Sequence, residues 1–148
     1  MSHFTSIRLI FKDAECIIQA LNVLMPHWKF SVHEDAQHLY GYQNDKRPET
    51  AHIVVARQSI SNASNDIGFL RNSDGAYTAI VSEWDQAILN WKDFLPKLQQ
   101  EYGSLVAEKQ LTAMGCIEVI RERGQDGQIQ LRGRKPIETQ KKKQVVRR

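Results

Sequence analysis

His33-Glu34-Asp35-Ala36-Gln37-His38 places two imidazoles and two carboxylates within six residues, the densest group of prospective ligands in the chain. Nitrogen and oxygen donors of this kind are what a divalent ion such as zinc accepts. The segment falls at a polar break between apolar runs, where a turn is expected and solvated side chains fill it. No further His or Cys has an evident approach, so no metal is assigned. Were the protein an enzyme, His33, Asp35 and His38 would be the first suspects. His3 and His52 lie in or beside apolar strand patterns and read as strand residues. Ser2 and His3 could act as nucleophile and base only with a distant Asp, and the neighbourhood of the initiator Met is a poor place for such geometry. GxGxxG, the P-loop, GxSxG and HExxH are all missing. No catalytic residue and no cofactor is assigned.

Binding signals are of two kinds. Asp66-Ile67-Gly68-Phe69 follows a polar loop and opens a strand. A Gly inside a strand marks a bulge or the close approach of another backbone. One reading is a binding edge anchored by Asp66; the other is an Asx-type turn that starts the strand. Trp28, Trp84 and Trp91 could stack on bases or a planar cofactor, or pack in the core or at its rim. The second signal is charge. Residues 132–148 hold eight of the twenty Lys and Arg and one acid, Glu138, a charge of +7. The rest holds twelve cations against sixteen acids, a charge of −4. An acidic body with a basic arm could neutralise phosphates of RNA or DNA, bind an acidic protein surface, or serve as a solubilising terminus. The residues assigned to partner binding are Asp66, Gly68, Phe69, Trp84, Lys141, Lys142 and Lys143. A protein partner is the leading expectation and nucleic acid the alternative.

These residues need elements to position them. Ile7, Leu9 and Phe11 alternate with polar neighbours and predict a half-buried strand over 3–11. Asp13 offers an N-cap, Cys16, Ile17, Ala20, Leu21 and Leu24 follow at helical spacing, and Pro26 ends the helix. Trp28, Phe30 and Val32 read as a strand, Leu39 to Tyr42 as another, and Asn44 to Thr50 as a loop around Pro48. Ala51 to Ala56, rich in β-branched residues, reads as a central strand, and Ser59 to Asn65 as a second polar loop. Asp74-Gly75 joins the runs at 67–70 and 77–81 as a hairpin turn. Asp85 to Trp91 forms a short helical turn. A helix with Asp93 as N-cap then carries Phe94, Leu95, Leu98, Tyr102, Leu105 and Val106 on one face and ends at Gly115. Asp126-Gly127 turns a second hairpin. The expected fold is α+β, a mainly antiparallel sheet with two main helices in the order β-α, β-meander, α, β-hairpin. Residues 1–134 form one domain and 135–148 a disordered basic tail.

The chain's 148 residues suffice for a single core, and its 41% hydrophobic content fits a soluble globular protein. No apolar run approaches the ~20 residues of a membrane span, and the N-terminus lacks the pattern of a signal peptide. Cys16 and Cys116, 100 residues apart, do not build a disulfide framework or a zinc site. Two buried or half-buried thiols are expected, although spacing leaves a single disulfide open.

The opening Met1-Ser2-His3-Phe4-Thr5-x-Ile7 resembles a family of conserved hypothetical open reading frames of cyanobacteria and plastids, a ycf-type domain of unknown function. Gly41-Tyr42, Ala51-x-Ile53-Val54, Asp66-Ile67-Gly68-Phe69, Tyr77, Trp84, Phe94-Leu95, Gln100-x-Tyr102 and Asp126-Gly127-x-Ile129-x-Leu131 follow in order. The resemblance spans about residues 1–134. It implies a small soluble protein of a photosynthetic lineage, in cyanobacterial cytoplasm or plastid stroma, without an assigned activity or catalytic residues. Residues 44–50, the loop at 59–65 and the basic tail depart from the family's pattern, so a role of the tail belongs to this chain.

Overall fold

The computed structural model describes residues 3–135, and Lys141–Lys143 and the expected tail disorder lie outside them. The N-terminal alternation forms β1 (Phe4–Arg8). It is shorter than expected, yet Leu9 donates to the Tyr77 carbonyl and the Tyr77 N–H to the Phe11 carbonyl, both at 2.9 Å. Asp13 caps α1 (Ala14–Leu24) by accepting from the Cys16 N–H at 3.1 Å. Cys16, Ile17, Ala20 and Leu21 bury one stripe of that helix. The meander comprises β2 (Phe30–Tyr40), β3 (Lys46–Val55), the short α2 (Arg57–Ile60), β4 (Ile67–Arg71) and β5 (Tyr77–Ser82). All pairs are antiparallel and the order is β1-β5-β4-β3-β2. Because β1 and β2 occupy opposite edges, the connection through α1 traverses the sheet.

Register explains the core. Ile53, Phe69, Ala79 and Ile7 stand in one row across four strands. Cross-strand partners share a face, and this face holds the fully buried Ile53, Phe69 and Ala79. The next row, Val54, Gly68 and Ile80, faces the other way and joins Leu39 in a smaller cluster edged by Phe4 and Leu70. Gly75 (φ 89°) serves the β4–β5 turn as expected.

Two expectations are corrected. His33–His38 was expected to be a turn and Asn44–Thr50 a loop; the first lies in β2 and residues 46–50 of the second in β3, joined by a tight turn with Asn44 at φ 63°. Pro48 is tolerated because β4 pairs with β3 only at Ile53–Val55, so the missing N–H costs no ladder bond to β4 there. The second correction concerns the helices. After α3 (Glu83–Ile88), α4 runs over Trp91–Ala113, starting two residues before Asp93. Asn90 adopts φ 52° and its carbonyl accepts from both the Asp93 and Phe94 N–H groups. Pro96 therefore lies inside the helix, on its exposed side, where water can reach the Lys92 carbonyl it leaves unpaired.

Residues 1–98 and those from Gln99 on form two compact units. In the first, Phe94 lies 5.8 Å from Trp28 and 5.5 Å from Trp91, ring centre to ring centre, and both indoles are buried. The second contains the rest of α4 and the hairpin β6 (Glu118–Arg123) and β7 (Ile129–Arg134). Gly115 (φ 94°) ends α4, with the Cys116 N–H reaching back to the Leu111 carbonyl at 3.1 Å. Glu101, 1% exposed, receives Arg121 at 2.7 Å and Arg123. A buried carboxylate held by two guanidiniums fixes which hairpin residues meet the helix, since any slip leaves a charge unpaired. Cys16 is a buried thiol and Cys116 a half-buried one, with no disulfide between them.

Candidate functional site

Two irregularities open the β2–β3 pair. Val32 pairs with Ile53 and Gln37 with Ala51, so four residues of β2, His33–Ala36, oppose His52 alone. His38 pairs with Thr50 and Tyr40 with Lys46, so three residues of β3, 47–49, oppose Leu39 alone. Bulges re-aim side chains. Five residues apart, His33 and His38 would point to opposite faces of a regular strand. Here both line one cleft of about 320 Å³, together with Ser31, Gln37, Tyr40, Lys46, Val54 and Asp66. His33 Nε2 meets the Ser31 hydroxyl at 2.9 Å. His38 Nδ1 lies 2.8 Å from the Arg47 carbonyl. A carbonyl only accepts, so Nδ1 carries the proton and Nε2 keeps the lone pair in the neutral ring. His52, facing the bulge, accepts the Arg71 N–H on Nδ1 at 3.0 Å. Burial, then Arg71, hold its pKa below the ordinary value, with Asp35 opposing them. Among the described residues no group of three His, Cys, Asp or Glu could hold a metal ion.

Asp66 closes the cleft and pins the fold. Its Oδ2 accepts the Tyr40 N–H and its Oδ1 the Arg57 N–H, both at 2.8 Å. The end of β2 and the start of α2 are thereby tied to β4. Burial pushes the Asp66 carboxyl above its ordinary pKa, against the pull of those two amides and the Arg57 charge. A carboxyl that binds its proton more tightly when folded favours folding fully below its unfolded pKa, and that contribution is lost as pH rises through the folded value. In an NMR titration the Asp66 side-chain carbon should therefore titrate above 3.8, the ordinary value. A midpoint at or below it would mean that the two amide bonds outweigh burial.

Next to Asp66, Asn65 belongs to a wholly buried network. The Asn65 N–H and side-chain amide donate to Asp85 Oδ2 at 3.1 and 3.0 Å, and the amide also to Ser82 Oγ at 3.0 Å. The Ser82 hydroxyl donates to the same Asp85 oxygen at 2.6 Å and accepts the Asp85 N–H at 3.0 Å, capping α3. Asn65 Oδ1 takes the Tyr42 N–H at 2.9 Å. These residues went unassigned in the sequence, although Ser82-Glu83-Trp84-Asp85 carries the S-x-x-D signature of a capped helix start.

The expected binding residues separate accordingly. Ile67, Gly68 and Phe69 lie in the central strand of the five, buried between β3 and β5, where no sheet edge exists. A Cβ at Gly68 would stand 2.5 Å from the Ala51 Cβ. The glycine answers a close approach inside the sheet, and Asp66 makes the turn-like contacts of a strand opener. Trp84 is 38% exposed on α3, with Ile88 60% exposed one helical turn on. Lys141, Lys142 and Lys143 lie outside the described residues. Of the basic tail, Arg132 and Arg134 sit in β7 and pair with Glu122 and Glu118.

The described residues form an α+β fold with an antiparallel meander and a bulged edge strand. Residues 24–132 match the family described as protein of unknown function DUF1257, and the chain belongs to that family. The match contains the Asp66-Ile67-Gly68-Phe69 segment, and Met1-Ser2-His3-Phe4 precedes it. No curated protein and no solved structure matches the chain. Among the described residues no helix is long and apolar enough to cross a membrane.

Proposed function

We propose that the chain is a non-enzymatic accessory or adaptor protein that acts by holding a protein partner. The observation that carries this reading is the pair Trp84 and Ile88, exposed together on a short helix whose inner side is locked by the Ser82–Asp85–Asn65 network. A large aromatic on a rigid support, with an aliphatic neighbour, is the kind of anchor that dominates protein interfaces. The basic arm with Lys141–Lys143 supplies a second contact to an acidic rim of the partner and speeds encounter. A cyanobacterial cytoplasm or plastid stroma is part of the proposal, supported by the resemblance carried by the opening residues and the Asp66–Phe69 segment. The alternative, a nucleic-acid-binding protein working through the tail, draws on its charge.

The test is affinity capture from photosynthetic extract, with and without nuclease, using the wild-type chain, Trp84→Ala and a Lys141–Lys143 charge reversal. A defined protein should survive nuclease. Trp84→Ala should weaken its measured affinity about thirtyfold, as for a truncated interface anchor. Loss of every bound component on nuclease treatment would favour nucleic acid. A partner held equally by both variants would sink the proposed surface.

A further inference from the structure

The cleft between the two β2–β3 bulges has no part in the adaptor reading. Its walls are rich in hydrogen-bond donors and cations: Lys46, the imidazoles of His33 and His38, the Ser31 hydroxyl and the Gln37 amide. Of the lining side chains only Asp66 is acidic, and both its oxygens already accept backbone N–H groups. Val54 gives the cleft an apolar wall. We propose that this cleft is a binding site for a small oxyanion, the phosphate or carboxylate group of a small molecule, held by Lys46, His33 and His38.

Three observations support it. First, the convergence is constructed: without the His33–Ala36 bulge the two imidazoles would lie on opposite faces of β2. Second, one nitrogen of each ring is engaged by the protein, His33 Nε2 by Ser31 and His38 Nδ1 by Arg47, which orients the rings and leaves the other nitrogen for a ligand. Third, the volume of about 320 Å³ falls at the small end of ligand sites, enough for a small organic acid or phosphate ester and too little for a dinucleotide. Protonated imidazoles and an ammonium attract an anion by charge-assisted hydrogen bonds. The charged groups around the rings are Lys46 and Asp66 in the cleft, Glu34 and Asp35 in the bulge, Arg47 at His38, and His52 with Arg71 opposite. Both Asp66 oxygens are engaged by backbone N–H groups, which offset part of the charge it presents to an anion.

The experiment is an NMR titration of the isotope-labelled full chain with inorganic phosphate and, separately, with succinate. The expected result is saturable shifts of the His33, His38 and Lys46 signals with at least one probe. The double variant His38→Gln, Lys46→Met alters two exposed residues, so its spectrum elsewhere should overlay that of the wild type. Its affinity should fall about tenfold or more, the loss of one or two charge-assisted bonds. Preference for phosphate would point to a phosphorylated ligand and preference for succinate to an organic acid; both uphold the site. Shifts confined to other Lys and Arg residues, equal affinity in the double variant, or no saturation with either probe would overturn it.

Discussion

Asp85→Ala should lower the unfolding free energy by about 3–5 kcal/mol, because three buried donors lose a shared charged acceptor. The side chain is 0% exposed, and its Oδ2 accepts from the Asn65 N–H, the Asn65 amide and the Ser82 hydroxyl. Alanine leaves all three donors without that acceptor, in a place water does not reach, and each such loss costs about 1–3 kcal/mol before non-additivity. Asp85→Asn supplies the internal control. Asp85 Oδ1 accepts no bond, so asparagine can set its amide NH₂ there and keep a carbonyl oxygen in the place of Oδ2. Its loss should be nearer 1 kcal/mol, the difference between charged and neutral acceptors. Urea unfolding of the three proteins, with unchanged m-values, measures both steps. Near-equal stability of Asp85→Ala and wild type would show that the network does not hold the loop before β4 to α3. Because the same network fixes the helix carrying Trp84, Asp85→Ala should also weaken partner capture, whereas Asp85→Asn should largely retain it.

The sequence was most legible where signals were local. β1, the Asp13-capped α1, the Asp74-Gly75 and Asp126-Gly127 hairpins and the Gly115 helix end each depend on residues within a few positions of one another, and each is present. What escaped depends on pairing over distance. The bulges at His33–Ala36 and 47–49 exist only relative to the partner strand, so one strand's alternation could not reveal them. The six-residue His and carboxylate cluster was visible, but not that two of its members would join Lys46 and Asp66 in a cleft. The start of α4 at Trp91 turns on Asn90 adopting a left-handed conformation, a choice that asparagine permits and does not announce. Glu101 carries no local mark of burial. Its burial follows from Arg121 and Arg123 arriving some twenty residues later. The Gly68 signal was seen correctly as a bulge or a close approach; the central position of β4 decides for the close approach.

Gly68→Ala tests that decision directly. The added methyl carbon would sit 2.5 Å from the Ala51 Cβ and 3.0 and 3.1 Å from the Leu39 methyls. Leu39 can move its side chain, but Ala51 carries its Cβ on the backbone of a paired strand and can yield only by shifting β3. Overpacking of this kind costs about 1–3 kcal/mol, and the upper end is expected because the obstruction is backbone-borne. Restoring the space should restore the stability. Ala51→Gly alone should cost about 1 kcal/mol through lost packing and added chain entropy. In the Gly68→Ala background the same change should be stabilising, giving a favourable coupling of at least about 1 kcal/mol in a double-mutant cycle. A partner-binding role for Gly68 predicts a different pattern: stability near wild type, reduced capture, and no rescue by Ala51→Gly. Stability and capture measured on the same four proteins therefore separate the two roles. If Gly68→Ala unfolds at the wild-type urea midpoint, the close contact between β3 and β4 is not what requires glycine there.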